Sequence, residues 1–259
     1  MTYRTKLFWL LFLAGFAGIL SFLLVDLTAI IAMVPPTEGT TIPPLWVIKI
    51  LSLIQPTLLL ALAVFGGVSL SPKVNLSAPA FEAWASDKSF VAALKPQIIP
   101  GVIAGVIAAV VIVFSWAFLR PFMPADFVTR AEAFNRLIPL PTRLWYGGIT
   151  EELLLRWGLL TLLVWAAWRV FQRGRREPGA VCYVGAILIS SIVFGVGHLP
   201  VAVAIGGPLI MPVVAYVITA NAVFGLIAGY LFWRKGLEAA MIAHMLAHVG
   251  IVSASYFAR

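Results

Sequence analysis

The sequence predicts an all-α protein, a polytopic bundle of about seven (six to eight) transmembrane helices. Three observations carry that expectation. Of 259 residues, 62% are hydrophobic and only 11% charged, whereas a soluble domain carries about 25% charged residues. The apolar residues gather into runs long enough for a helix to cross a hydrocarbon core of ~30 Å, which takes about 20 residues. Between the runs lie Pro-, Ser- and charge-containing connections with the composition of loops. The net charge of +8, from 18 basic and 10 acidic residues, does not indicate nucleic acid as a partner, because so apolar a chain has little polar surface on which to display a basic face. A lipid bilayer is the partner that fits. The single cysteine, Cys182, excludes an intramolecular disulfide and any cysteine-rich metal site.

The first apolar run extends from about Leu7 to Val34 behind two basic residues, Arg4 and Lys6. It is longer than the ~7–15 apolar residues of a signal-peptide core and lacks a small-residue cleavage site, so it reads as a retained span. The second runs from about Leu45 to Leu70 and the third from about Ile98 to Leu119. The polar stretch between them carries Phe81, Trp84 and Phe90 among charges, which suits an interfacial helix. The fourth, about Arg143 to Phe171, ends in the basic patch Arg173 to Glu177; the fifth covers about Ala180 to Leu199, the sixth Met211 to Trp233 and the seventh Leu237 to Phe257. GxxxG spacings at Gly101 and Gly105 and at Gly225 and Gly229 read as ordinary sites of close helix packing. No repeat or low-complexity linker appears, so the chain reads as one integral domain.

Lys and Arg placement predicts the orientation, since cytoplasmic loops are enriched in both. With the N-terminus inside, eleven basic residues face inward: Arg4, Lys6, Lys73, Lys88, Lys95, Arg169, Arg173, Arg175, Arg176, Arg234 and Lys235. Five face outward, namely Arg120, Arg130, Arg136, Arg143 and Arg259, and Lys49 and Arg156 fall within spans. The bias predicts N-in and C-out. A bacterial inner membrane is the expected location.

Ionisable groups inside a membrane are the informative residues, because each costs roughly 2.5–3.5 kcal/mol at the helix centre. The fourth span holds three: Glu151, Glu152 and Arg156. Glu152 and Arg156 are four apart, share a helix face and suit an ion pair. Glu151 points about 100° away and has no partner within the span. The chain has only three histidines, His198 near the end of the fifth span and His244 and His248 in the seventh. The i, i+4 pair places two imidazoles on one face, as in zinc-binding HExxH, although the Glu of that motif is missing. At a rise of ~1.5 Å per residue, Glu151 and Glu152 lie roughly 12–14 Å below one membrane face, His198 about 0–5 Å and the histidine pair about 14–19 Å. All five can border one polar cavity with His198 nearest its mouth.

At these residues the chain resembles the CPBP (CaaX protease and bacteriocin-processing, ABI) family, which includes prenyl-protein endopeptidases. The first family motif, EExxxR, is matched by Glu151, Glu152 and Arg156; the second, FxxxH, by Phe194 and His198; the last, HxxxN or HxxxD, by His244, with His248 in place of the usual Asn or Asp. The resemblance covers about residues 143 to 250. It implies a catalytic helical core over 143–259, preceded by N-terminal helices and loops over 1–142. It further implies a peptidase acting on a membrane-associated protein or peptide, with Glu151 as base, His198 as its partner on a water, and His244 as oxyanion donor. His248 is a better ligand for a zinc-like ion than an amide, so the motif leaves open both a metal-free mechanism and a zinc ion on His198, His244 and His248. Arg156 and Phe194 read as structural or substrate-positioning.

Two other classes compete. A proton-coupled transporter also uses Glu and His chains, but such transporters often carry inverted repeats, which are absent from this sequence. A non-catalytic member of the same family, conferring immunity or binding a peptide, would present the same pocket. Orientation adds a conflict: counting basic residues turns the cavity mouth outward, whereas processing of a prenylated cytosolic protein needs access from the cytosol.

Overall fold

The computed structural model describes residues 1–33, 43–173, 177–206 and 210–257. These are helical with no strand among them, and seven helices are long and apolar enough to cross a membrane: Tyr3–Leu24, Leu45–Lys73, Phe90–Phe122, Leu140–Phe171, Ala180–Gly206, Met211–Lys235 and Leu237–Phe257. They are called the first to seventh spans below. The chain is an integral, multi-pass helical membrane protein. Large apolar side chains such as Ile103, Val106, Phe114 and Phe118 of the third span lie exposed on its outside, as expected where the solvent is lipid.

Three span limits differ from the sequence expectation, each for a local reason. The first span ends at Leu24 because Val25 turns extended and the Asp26 carboxylate accepts from the backbone N–H groups of Thr28 and Ala29, starting a separate short helix, Leu27–Met33. Val34 lies outside the described residues, as do Arg175, Arg176 and Arg259 of the charge count. The third span begins at Phe90, where Ser89 caps the helix by accepting from Ala92 N–H, and it runs on through Pro96 and Pro100. The fifth helix breaks at His198 and resumes over Leu199–Gly206.

The expected interfacial stretch contains a short helix, Pro79–Ala85, with Trp84 outward but Phe81 turned into the core. Its free N-terminus is satisfied from a distance: the buried Glu238 carboxylate accepts from Ala80 N–H at 2.9 Å and Phe81 N–H at 3.0 Å. Ser77 O accepts from Leu237 N–H at 3.0 Å. The turn that delivers Glu238 needs Gly236 at φ 113°, a left-handed conformation that side chains resist.

Both GxxxG pairs are packing sites. A methyl group on Gly101 or Gly105 would strike Ile242, Ala239 O, Leu246 or Ala243 O of the seventh span, and one on Gly225 or Gly229 would meet Ser191 or Ile187 of the fifth. The third span thus lies on the seventh and the sixth on the fifth. The first span crosses the fourth, where Thr150 Oγ1 donates to Gly15 O at 2.7 Å.

Among the described residues the buried apolar side chains form two clusters. The larger runs from Leu7 to Ala247 through all seven spans, with Trp157, Leu153 and Phe232 at its centre. The smaller joins Met123, Phe127 and Val128, at and beside the helix Ala125–Leu137, to Ala202, Ile205, Val213 and Val217. It lies on the side of the molecule where the fifth helix breaks at His198.

Candidate active site

The fourth span is not an ordinary α-helix where it carries its charges. Over Arg143–Glu151 and Leu153–Leu160 its backbone bonds close π-helical, i→i+5 turns, a geometry that recurs at functional sites. The wider turn reduces the angle between successive side chains. Glu151 and Glu152, expected to diverge, accordingly grip one imidazole from two sides. His244 Nδ1 bonds Glu152 Oε1 at 2.7 Å, and His244 Nε2 lies 3.8 Å from Glu151 Oε2.

Glu152 is fully buried and Arg156 nearly so, and Arg156 Nη1 stands 3.2 Å from the same Glu152 Oε1 that meets His244. This is the ion pair expected from the i, i+4 spacing. Its setting was not readable from the spacing: the guanidinium lies over the rings of Phe194 and Phe224, 5.1 and 5.5 Å from their centroids, and its Nη2 donates to Gly225 O at 3.4 Å. Cation–π contacts of this kind strengthen when desolvated. Phe224 also lies 4.2 Å, centroid to centroid, from the His244 ring. An aromatic four residues before a His signals itself in the FxxxH motif, but Phe224 reaches His244 from another helix, and no local pattern announces that.

The two histidines of the seventh span are stacked, with centroids 4.9 Å apart and planes at 17°. Room for their Nε2 atoms comes from Gly147: a methyl group there would lie 2.5 Å from His248 Nε2 and 3.6 Å from His244 Nε2. His248 Nδ1 is buried without a hydrogen-bond partner. The Gly147–Gly148 pair preceding the carboxylates was the available signal for a close backbone approach.

His198 ends the fifth helix, half-buried, with Nδ1 2.8 Å from Phe194 O. The Phe194 ring lies edge-on to both His198 and His244, at 4.7 and 6.0 Å. Glu151 and His198 make no ion pair within 4.0 Å; the ion-pair contact of Glu151 is with His244 instead, at 3.8 Å. Nor do three or more His, Cys, Asp or Glu side chains among the described residues converge as metal ligands. Nδ1 of His198 and of His244 is taken by Phe194 O and Glu152, which leaves Nε2 of each ring open, the setting a metal-bound imidazole also uses.

Fold and site define a class: a multi-pass helical membrane protein with a cluster of buried carboxylates, imidazoles and one guanidinium where the surrounding spans are apolar. Residues 133–250 match the family described as type II CAAX prenyl endopeptidase Rce1-like. Over that stretch the chain is similar to the CaaX proteases its three motifs resemble. No curated protein and no solved structure matches the chain.

Proposed function

We propose that the protein is an endopeptidase that hydrolyses a peptide bond of a membrane-associated protein or peptide with a water activated by Glu151. The observation that carries this is the unequal setting of the two carboxylates. Glu152 is sealed at 0% side-chain exposure and spent on Arg156 and His244, whereas Glu151 keeps 19% and has no partner nearer than His244 Nε2. Glu152 orients; Glu151 is free to move a proton.

In the proposed reaction Glu151 takes a proton from a water held between it and His198 as the water oxygen bonds to the carbonyl carbon. The carbonyl oxygen becomes an oxyanion, met by Nε2–H of His244 and His248. Collapse of the tetrahedral intermediate breaks the C–N bond, and the departing amine takes the proton from Glu151. A donor role for His244 requires a proton on Nε2 while Nδ1 bonds Glu152, so either His244 is doubly protonated or Glu152 supplies the Nδ1 proton. Phe194 and Phe224 hold Arg156, and through it Glu152, in place.

The test is turnover of a quenched-fluorescence, S-prenylated peptide of the CAAX pattern by purified protein, with and without a chelator. Cleavage that survives the chelator and is lost in a folded Glu151→Gln variant is expected. Full turnover by that variant refutes the base assignment, and loss of wild-type turnover with chelator replaces the metal-free step with a metal on the histidines. Binding without cleavage returns the protein to the non-catalytic class.

A further inference from the structure

The lipid-facing side of the bundle is concave at one place. Between the third and sixth spans lies a groove of about 580 Å³, walled by Ile99, Ile103 and Ile107 on one side and by Leu226 and Tyr230 on the other. Its floor is Leu231, which is buried, whereas Ile99, Ile103, Ile107 and Tyr230 are each more than half exposed. An apolar hollow offers water no hydrogen-bond partners, so in a bilayer its natural occupant is hydrocarbon. Ile99 and Ile107 are eight residues apart, about 12 Å at the rise of an α-helix. That is less than half of a ~30 Å hydrocarbon core, and the groove therefore belongs to one leaflet.

Both walls end in cations. Lys95 precedes Ile99 by four residues, Arg234 follows Tyr230 by four, and Lys235 follows Leu231 by four. Residues four apart share a helix face, so each wall carries a basic residue one turn beyond the groove. A contact between the helices sets these residues at one level. Gln97 Oε1 accepts from Ala239 N–H at 3.1 Å, and it lies 2.8 Å from where a methyl group on Gly236 would stand. Lys95 is two residues before Gln97, and Arg234 and Lys235 directly precede Gly236.

All three cations are exposed, and among the described residues none has a carboxylate within 4.0 Å. Arg234 lies instead over the Trp233 ring, 5.4 Å from its centroid. The acid of the neighbouring turn, Glu238, is buried and bonded to the Ala80 and Phe81 amides. A hydrocarbon groove with unpaired positive charge at its membrane-surface end is complementary to a lipid that joins an acyl chain to a phosphate.

We propose that the groove between the third and sixth spans is a binding site for one anionic phospholipid. An acyl chain lies along Ile99, Ile103 and Tyr230, and the phosphate is held by Lys95, Arg234 and Lys235. The third span also packs on the seventh through Gly101 and Gly105. A lipid seated in the groove thus braces the helices beside the one that carries His244 and His248, and it stabilises the folded protein by mass action.

The full-length protein, purified in a nonionic detergent, is titrated with phosphatidylglycerol or with phosphatidylcholine of the same acyl chains. Bound lipid is counted by native mass spectrometry, and the melting temperature is followed in parallel. At about fivefold for each basic residue beside an anionic lipid, one phosphatidylglycerol is expected to bind at least about tenfold more tightly than phosphatidylcholine. The melting temperature rises with phosphatidylglycerol alone. Combining Lys95→Gln with Arg234→Gln brings phosphatidylglycerol down to the phosphatidylcholine level. Ala104→Phe, which sets a ring into the groove from its wall, removes the one tight lipid. Combining Arg169→Gln with Arg173→Gln, at the end of the fourth span, leaves both the lipid and the preference in place.

Equal affinity of the wild-type protein for the two lipids overturns the proposal. So does an equal loss in the Arg169 and Arg173 variant, which reduces the preference to diffuse charge. A preference that survives Ala104→Phe overturns it as well, because the headgroup then binds without the groove. An S-farnesylated peptide that displaces the lipid, and binds the Lys95 and Arg234 variant as well as wild type, gives the groove to a substrate chain instead.

Discussion

Replacing Gly147 by Ala isolates the geometry of the histidine pair from its chemistry. The added methyl group would stand 2.5 Å from His248 Nε2 and 3.0 Å from its Cδ2, where ordinary contact begins at 3.4 Å, so the imidazole must retreat by about 1 Å. A displacement of that size at a reacting centre costs on the order of 10²-fold in rate, or about 2.7 kcal/mol at 1.36 kcal/mol per factor of ten. Stability should not suffer in parallel, since Ala is preferred to Gly within a helix by up to ~1 kcal/mol. The expected result is a kcat lower by about 10² at nearly unchanged KM and melting temperature, measured with the quenched CAAX-pattern peptide. Gly66→Ala and Gly185→Ala serve as controls, because nothing lies within 4 Å of either added methyl group, and both should keep full kcat. A folded Gly147→Ala protein with wild-type kcat would refute the placement of His248 at the oxyanion.

Other outcomes follow from the same contacts. Arg156→Ala leaves the fully buried Glu152 without its counter-ion, and loss of one partner of a buried pair costs about 3–5 kcal/mol; a large fall in melting temperature in detergent is expected. Glu238→Gln weakens the two bonds to Ala80 and Phe81 N–H, so hydrogen exchange at those two amides should quicken while exchange in the seventh span is kept. Single cysteines at Lys88 and Arg130 in a Cys182→Ser background should label from opposite sides of the membrane, Lys88 from the inside; labelling of both from one side would refute the orientation.

How far the sequence could be read depended on the range of the interaction. Span number was legible because lipid leaves few alternatives to a long apolar helix, and the second and seventh helices fall where hydropathy puts them. The ends of the first and third were displaced by single capping side chains, Asp26 and Ser89, whose effect is local but does not register in a hydropathy window. At the site, Glu152 and Arg156 were legible as a pair because four residues of one helix separate them. The clasp of both carboxylates on His244 was not, since it requires the π-helical turn and a partner 92 residues away. The anchoring of Arg143 was not legible either: its partners, Asn135 and Ile138, lie within eight residues, but a charge count sees only a basic residue near a membrane face.

The separation of the buried side chains into two clusters has a consequence for how such an enzyme can change. His198 stands where the fifth helix breaks, with Phe194 of the larger cluster on one side and Ala202 and Ile205 of the smaller on the other. The helix that follows the break is therefore packed with one set of neighbours, and Phe194, edge-on to His244, with another. Substitutions around Phe127, Val213 and Val217 repack the smaller cluster without touching the carboxylates, which belong with the larger one, so the two parts are free to vary at different speeds.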